Sequence, residues 1–291
     1  MNKNITIGII ADDLRQIYMA KYLQKEGYKV ILIHSDELNF PKQDYHIIED
    51  MHDLIYKSNI IVAPVPFIKV NKIMNITDFL YNLGIQKSND NTFILYAGLM
   101  DYQITDQLNK LNIKYIDYYE SENLTIYNTI ATAEGIIAEA ILHSNTNLHN
   151  SEALVLGYGK CAKTLACKLK GLGAKVTICA RNNKDLSIAQ CAGYNIVDLH
   201  NLIMEINRYE YIFNTIPAPI LDENILSHVN HESIILDIAS MPGGVNKEYA
   251  NNHNINVIHK LGIPGLYSPK SSGIALALNL LKIINWLSWH K

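Results

Sequence analysis

Arginine is nearly absent from this chain. Of 25 basic residues only three, Arg15, Arg181 and Arg208, are arginines, so each stands out against a background of lysine. There is no basic run and no interleaving of aromatic with basic residues, and the formal net charge is −3. That leaves no electrostatic footprint for nucleic acid, and no such partner is expected. Cysteine is scarce too. Cys161, Cys167, Cys179 and Cys191 lack metal-ligand spacing, which argues against a metal site and for reduced, buried thiols in a cytosolic protein. Long apolar runs are also missing. The apolar stretch near the N-terminus is too short for a secretory signal. The most apolar tail segment, residues 273–289, is interrupted by Asn279, Lys282 and Asn285, so it reads as a core or domain-bridging helix rather than a membrane span. No repeat, low-complexity segment or Gly/Ser-rich linker separates one part of the chain from another.

What remains is an ordinary globular composition, 48% apolar and 18% charged over 291 residues. At roughly 150 residues per domain that length suggests two domains. The most informative stretch is 151–181. Ala153-Leu154-Val155-Leu156 suits a buried parallel strand, and Gly157, Gly159 and Ala162 follow at G-x-G-x-x-G/A spacing. Residues 160–172 carry Leu165, Leu169 and Leu172 on one helical face, and Val176-Thr177-Ile178-Cys179 is the next strand. The strand–turn–helix–strand context makes this a dinucleotide fingerprint: Gly157 allows the tight turn, Gly159 lets backbone approach the pyrophosphate, and Ala162 lets helix and strand pack closely. The turn residues Tyr158, Lys160 and Cys161 are placed in the same site, and Cys161 is a candidate for alkylation.

The second strand decides the nucleotide. An NAD site has Asp or Glu near its end, about 20 residues beyond the glycines. Here the chain reads Ala180-Arg181-Asn182-Asn183, with no acid before Asp185. A guanidinium pairs with a 2′-phosphate that a carboxylate would repel, so NADP is expected in preference to NAD, with Arg181 and Asn182 as contacts. A solvated loop arginine is the plainer alternative.

The first half alternates strands near 5–10, 28–34, 59–65, 92–97 and 113–118 with helices, a βαβ pattern that implies a parallel sheet. Its first turn has Gly8 but no further glycines, which argues against a second dinucleotide site. Asp12 or Asp13 caps the first helix. Arg15, in that helix's first turn, is either an anion clamp or the partner of one of those aspartates. A helix opening at 127–135 and running to 142 carries Asn128 and Thr129 as substrate donors, although Thr129 or Thr132 serves equally as a cap. Beyond 181, strands at 211–214 and 233–238 exit through Thr215-Ile216-Pro217-Ala218-Pro219 and Ala239-Ser240-Met241-Pro242-Gly243-Gly244. Such loops border the nicotinamide half of a bound cofactor, so Thr215, Ile216 and Pro217 join the cofactor set. Asp237 is read as a buried hydrogen-bonder or a participant. Lys270, Ser271 and Ser272 open a last helix at 274–289 and offer a carboxylate site, with a simply capped helix as the alternative.

The fold expected is therefore α/β, with two Rossmann-like, doubly wound parallel-sheet domains. The N-terminal domain is discontinuous, residues 1–128 plus 271–291, completed by the C-terminal helix; 129–150 connect it to an NAD(P)-binding domain at 151–270.

Taken in order, the Arg15 turn and the segments 126–135, 155–166, 213–218, 236–244 and 262–273 resemble the dipicolinate synthase A subunit family of spore-forming Firmicutes. Ala162 stands where that family has Gly or another small residue, and Ser271-Ser272 where it has Thr-Ala. The resemblance implies an NADP-linked oxidation of dihydrodipicolinate, or of its 4-hydroxy-tetrahydro precursor, to dipicolinate. It implies cytoplasmic action in the mother cell during sporulation, partnered by a flavoprotein-like B subunit. The substrate is then a small cyclic dicarboxylate, with Arg15 and Lys270 as its cations and Asn128, Thr129, Ser271 and Ser272 as neutral donors. Lys270 is the candidate proton-transfer group, since no histidine lies in a motif loop and a histidine-centred dyad is not supported. Two other readings stay open: a non-catalytic NADP-binding subunit serving the B chain, and a generic amino-acid or hydroxyacid dehydrogenase. A homo-oligomer is a further alternative.

Overall fold

The computed structural model describes residues 5–289, with side chains as far as Trp286. The outermost residues of the expected N-terminal domain, 1–4 and 290–291, lie outside the described residues. Two compact units divide the chain: 1–127 with 268–291, and 128–267.

In the first unit the elements run β1 (Thr6–Ala11), α1 (Leu14–Lys25), β2 (Lys29–His34), α2 (Met51–Lys57), β3 (Ile60–Val62), α3 (Ile76–Lys87), β4 (Ile94–Ala97), α4 (Tyr102–Lys110) and β5 (Tyr115–Asp117). All the pairings are parallel, in the order β2-β1-β3-β4-β5. β1 is buried over nearly its whole length, as an apolar strand covered on both faces must be. The last helix of the chain, α12 (Pro269–Trp289), packs on α1 with Met19, Leu23, Leu276 and Leu280 fully or almost fully buried in one core, while α2 and α3 cover the opposite face through Leu54, Phe79 and Leu83. Close approach of α12 to α1 depends on Gly273, where an added Cβ would run into the carbonyl oxygen of Arg15.

The boundary between the units falls inside α5 (Glu122–His143). The second unit continues β6 (Glu152–Leu156), α6 (Lys160–Gly171), β7 (Lys175–Ala180), α7 (Asn183–Cys191), β8 (Asn195–Asp198), α8 (Leu202–Glu205), β9 (Tyr211–Asn214), α9 (Glu223–Leu226), β10 (Ile234–Asp237), α10 (Lys247–Asn252), β11 (Asn256–His259) and α11 (Ile263–Tyr267). Its sheet is again parallel throughout, in the order β11-β10-β9-β6-β7-β8. Numbered within the unit this is 3-2-1-4-5-6 read from the other edge, the doubly wound order that binds dinucleotides where its direction reverses. The two parallel α/β sheets agree with the fold expected from the sequence.

Several details differ from expectation. α5 begins at Glu122, not near Tyr127, so Asn128, Thr129 and Thr132 lie in its interior and none of them caps it. The Thr132 hydroxyl donates to the Asn128 carbonyl, one turn back, at 2.9 Å. α12 starts at Pro269, five residues earlier than expected, because proline's fixed φ and missing N–H suit a first helical position. Lys270, Ser271 and Ser272 therefore form its first turn. The thiols are all free, but Cys167 and Cys191 are exposed, Cys161 is half-buried, and only Cys179 is buried as expected.

Candidate functional site

The carboxyl edge of the second sheet is a row of strand ends held in register, with Leu156 opposite Cys179 and Asn214, Asp237 opposite Asn214, and His259 opposite Asp237. The β6–α6 turn lies above it. Gly157 has φ +96°, and a Cβ there would stand 2.7 Å from the Thr215 hydroxyl, so the turn demands glycine on two counts. At Gly159 an added Cβ would meet nothing within 4 Å, so backbone faces open space there. Gly159 is also the N-cap of α6, and no side chain caps that helix. Asp13, Asn75 and Asp101 by contrast cap α1, α3 and α4. An uncapped helix start beside an open glycine backbone suits a pyrophosphate, whose oxygens would accept from the first-turn N–H groups. Ala162 is fully buried against the sheet, as close helix–strand packing requires.

The other turn residues take different parts. Lys160 is exposed. The Tyr158 ring turns inward, edge-on to Tyr194 and beneath the Lys163 ammonium, and burial pushes its hydroxyl pKa up. Burial likewise raises the Cys161 thiol. Fewer thiolates form, so the reactivity expected of Cys161 is corrected to that of an unactivated thiol.

Arg181 is exposed just past the end of β7, the adenosine side of this fold, and makes no ion pair among the described residues. Asn182 is occupied as the N-cap of α7, its side chain accepting from Lys184 N at 2.8 Å. On the nicotinamide side the β9 exit loop is fixed by its own side chains. The Thr215 hydroxyl donates to the Leu156 carbonyl at 2.8 Å, and Asn214 accepts from Ile216 N while donating to the Ile216 carbonyl, each at 3.1 Å. Ile216 and half of the loop are thus held rigid, and Pro217 is exposed at its tip.

Asp237 is the most heavily bonded carboxylate of this edge, and fully buried. It accepts from Asn214 Nδ2 at 2.9 Å, Ala239 N at 3.1 Å and Gly244 N at 3.2 Å, and the His259 Nδ1 lies 3.2 Å from its second oxygen. The motif loops give no support for a histidine-centred dyad, but the structure sets the His259 ring beside this carboxylate.

Thr129, expected as a substrate donor, is buried, with its hydroxyl 2.6 Å from that of Thr164 on α6. It joins α5 to the nucleotide-side helix. Asn128 is half-buried one residue earlier.

In the first unit, the strand order reverses between β1 and β3, and a charged cluster gathers there. Asp13 caps α1 and also holds Arg15, which donates from Nε at 3.0 and 3.1 Å and from Nη2 at 2.6 Å. Arg15 Nη2 also reaches the Val65 carbonyl beyond β3, at 3.4 Å. Burial alone would depress the guanidinium's pKa, but the Asp13 carboxylate outweighs it and the value is raised. The pairing of Arg15 with one of the aspartates is present, through Asp13. Lys69 and Lys72, which no sequence motif marks, bracket Asp12 at 2.7 and 2.9 Å. Burial would raise the Asp12 pKa; the two ammonium groups win and hold it low. Lys270 is exposed in the first turn of α12 without an ion pair among the described residues, Ser271 is exposed beside it, and Ser272 is buried.

Comparison with known proteins places this arrangement. Residues 6–119 match the model for the N-terminal domain of the dipicolinate synthase A subunit. The dipicolinate synthase A subunit of Bacillus subtilis (strain 168) is 26% identical over 302 residues, 98% of this chain and 97% of its own length. The crystal structure of the corresponding A subunit from Bacillus halodurans superposes with a TM-score of 0.85 at 26% identity, covering 97% of this chain and 98% of the other. The chain is thus similar over almost its whole length to dipicolinate synthase A subunits. Residues 137–260 match the shikimate/quinate 5-dehydrogenase model, so the second unit is a dehydrogenase-type Rossmann domain, the architecture of nicotinamide dinucleotide sites. The D-lactate dehydrogenase of Escherichia coli, with a TM-score of 0.66 at 12% identity over 99% of this chain and 98% of its own, shares the fold. Among the described residues no helix is long and apolar enough to cross a membrane.

Proposed function

We propose that this chain is the NADP-linked oxidoreductase component of dipicolinate formation, oxidising dihydrodipicolinate to the aromatic pyridine dicarboxylate. The observation that carries the reading is the β6–α6 turn, with Gly157 at positive φ, open space at Gly159 and an uncapped α6, in a chain similar to these subunits. A bound nicotinamide dinucleotide supplies the hydride acceptor. The first-turn N–H groups of α6 hold its pyrophosphate, and the fixed loop from Thr215 to Pro217 borders its nicotinamide half. Exposed and without an ion pair among the described residues, Arg181 at the end of β7 takes the 2′-phosphate, which favours NADP over NAD.

The first unit supplies charge for a dicarboxylate. Arg15 is fixed by Asp13 in a fork that leaves little rotational freedom, and Lys270 and Ser271 open α12, whose close packing on α1 runs past the Arg15 backbone. Asn128 and Ser272 are further polar contacts in this proposal, while the Thr129 hydroxyl acts through its bond to Thr164. Two cations with different mobility suit a ring with two carboxylates: one is set in place, the other closes on the substrate. A B subunit is the expected partner, and the mother-cell cytoplasm during sporulation the expected setting.

The test mixes the purified chain, alone and with its B subunit, with dihydrodipicolinate and either NADP or NAD. Reduced cofactor and pyridine absorbance should rise together, faster with NADP. NADP binding without turnover in either mixture would reduce the chain to a nucleotide-binding role. Turnover of alanine or lactate-type substrates instead would make it a generic dehydrogenase.

A further inference from the structure

The Asp237–His259 pair has a feature that a purely structural contact would not need. Asp237 ends β10 and His259 ends β11, and the parallel register sets them side by side at the carboxyl edge. Asp237 is fully buried and already satisfied by Asn214, Ala239 and Gly244, so it does not depend on the imidazole for its hydrogen bonds. Its second oxygen lies 3.2 Å from His259 Nδ1. A carboxylate there fixes Nδ1 as the protonated nitrogen and leaves Nε2 with its lone pair. That Nε2 is buried and has no hydrogen-bond partner among the described residues. Leaving a ring nitrogen in this state is unfavourable unless a ligand atom or a water engages it. The loop beside the pair is backbone-thin: a Cβ at Gly243, where φ is +89°, would stand 3.1 Å from Asp237 Oδ2 and 3.6 Å from His259 Cε1. The neighbouring lysine, Lys260, turns away to Glu139 of α5 at 2.9 Å, so its ammonium is spent there.

We infer that His259 is the proton-accepting residue of the oxidation and that Asp237 is its positioning residue. This rests on the oxidoreductase reading above and takes over the proton role the sequence suggested for Lys270, leaving Lys270 as a substrate cation. In the step, one ring C–H bond of the dihydropyridine breaks with its electron pair leaving as hydride to the nicotinamide. A neighbouring ring C–H gives its proton to His259 Nε2, and the electrons of that bond become the new ring π bond. The imidazolium so formed is stabilised by Asp237, and the proton passes to solvent when product leaves. Both residues stand on the β9–β10–β11 side of β6, the side that borders the nicotinamide in this sheet order.

The experiment compares wild type, His259→Gln, His259→Asn and Asp237→Asn, with NADPH binding followed by fluorescence as the control for folding. Wild type should show kcat/KM falling on the acid side as His259 becomes protonated, with Asp237 the carboxylate in contact and the Lys260–Glu139 pair nearby. His259→Gln should lose that acid limb and about 10²–10⁴ in kcat, the range typical of a removed general base, while NADPH affinity stays within about twofold. Asp237→Asn should lower kcat while KM and NADPH affinity stay within about twofold. A His259→Gln enzyme with the wild-type limb and kcat would overturn the inference and leave the oxidoreductase reading standing. Wild type inactive with both cofactors, with and without the B subunit, overturns both. If the variants do not fold, the wild-type chain still decides: the acid limb must coincide with the titration of the His259 ring by NMR, and a mismatch refutes the assignment.

Discussion

Selectivity between the two nicotinamide cofactors is the sharpest consequence of Arg181. The side chain is exposed one residue past β7 and has no ion pair among the described residues, so replacing it removes no interaction within the fold. Arg181→Ala should therefore leave Tm unchanged to within a degree or two. A charge-assisted bond to the 2′-phosphate is worth about 1.5–3 kcal/mol, roughly 10- to 150-fold in affinity. The exposure of Arg181 places the expected loss near the lower end, about tenfold, because solvent and salt screen an exposed pair. NADH has no 2′-phosphate, so its affinity should change by less than about twofold. Fluorescence titration of both reduced cofactors at low and high salt checks this directly. The NADPH preference of wild type should shrink as salt rises, and that of the variant should be nearly flat. Equal losses for NADPH and NADH, or no loss for either, would show that Arg181 is a solvated loop residue and that the preference for NADP has another source or does not exist.

The two glycines of the same turn should fail in opposite ways. Gly157→Ala forces a Cβ into a left-handed backbone 2.7 Å from the Thr215 hydroxyl and should lower stability by about 1–3 kcal/mol in urea unfolding. Gly159→Ala meets nothing within 4 Å, so stability should hold within about 0.5 kcal/mol while NADPH binding weakens at least tenfold, because the new methyl occupies the phosphate's approach. Asp12 gives a pH dependence. Its folded pKa lies below the unfolded value, so its contribution to stability is present above the unfolded pKa and is lost as pH falls through the folded one. Lys69→Ala with Lys72→Ala should therefore cost stability at neutral pH and flatten the acid side of a Tm-against-pH curve below about pH 4. Alkylation followed by mass spectrometry should label the exposed Cys167 and Cys191 first and Cys161 slowly. Cys179, buried and pushed up to about 12, should react only after unfolding.

The parts legible from sequence are those with a local cause. The β6–α6 turn can be read because glycine at fixed spacing between an apolar strand and an amphipathic helix has one structural meaning. The strands buried on both faces, β1, β4, β9 and β10, announce themselves as apolar runs. The edge strands of the second sheet do not. β8 and β11 are four residues long, half-buried, and open on Asn195 and Asn256, so neither shows an apolar run or a clean alternation. Helix starts are misplaced where a later polar residue looks like a cap. Thr129 and Thr132 have the chemistry of a cap but sit inside α5, and Ser271-Ser272 draw attention from Pro269, the residue that opens α12.

The Asp237–His259 pair escapes the sequence for a deeper reason. The residues are 22 positions apart, and while the sequence marks Asp237 as a candidate participant, nothing in it marks His259. They meet only because β10 and β11 are parallel neighbours whose final residues share a row, and β11 is the strand the sequence conceals. Once an acid is seen to end one strand of a parallel sheet, the last residue of the next strand is the place to look for its partner, since parallel register brings successive strand ends to the same edge. Applied to the first sheet, the same rule finds Asp12, just past β1, beside Lys69 and Lys72, which follow β3, the neighbour of β1. In both units the charged groups at the carboxyl edge come from the exits of adjacent strands, so the order of strands, more than any motif, determines which of them meet.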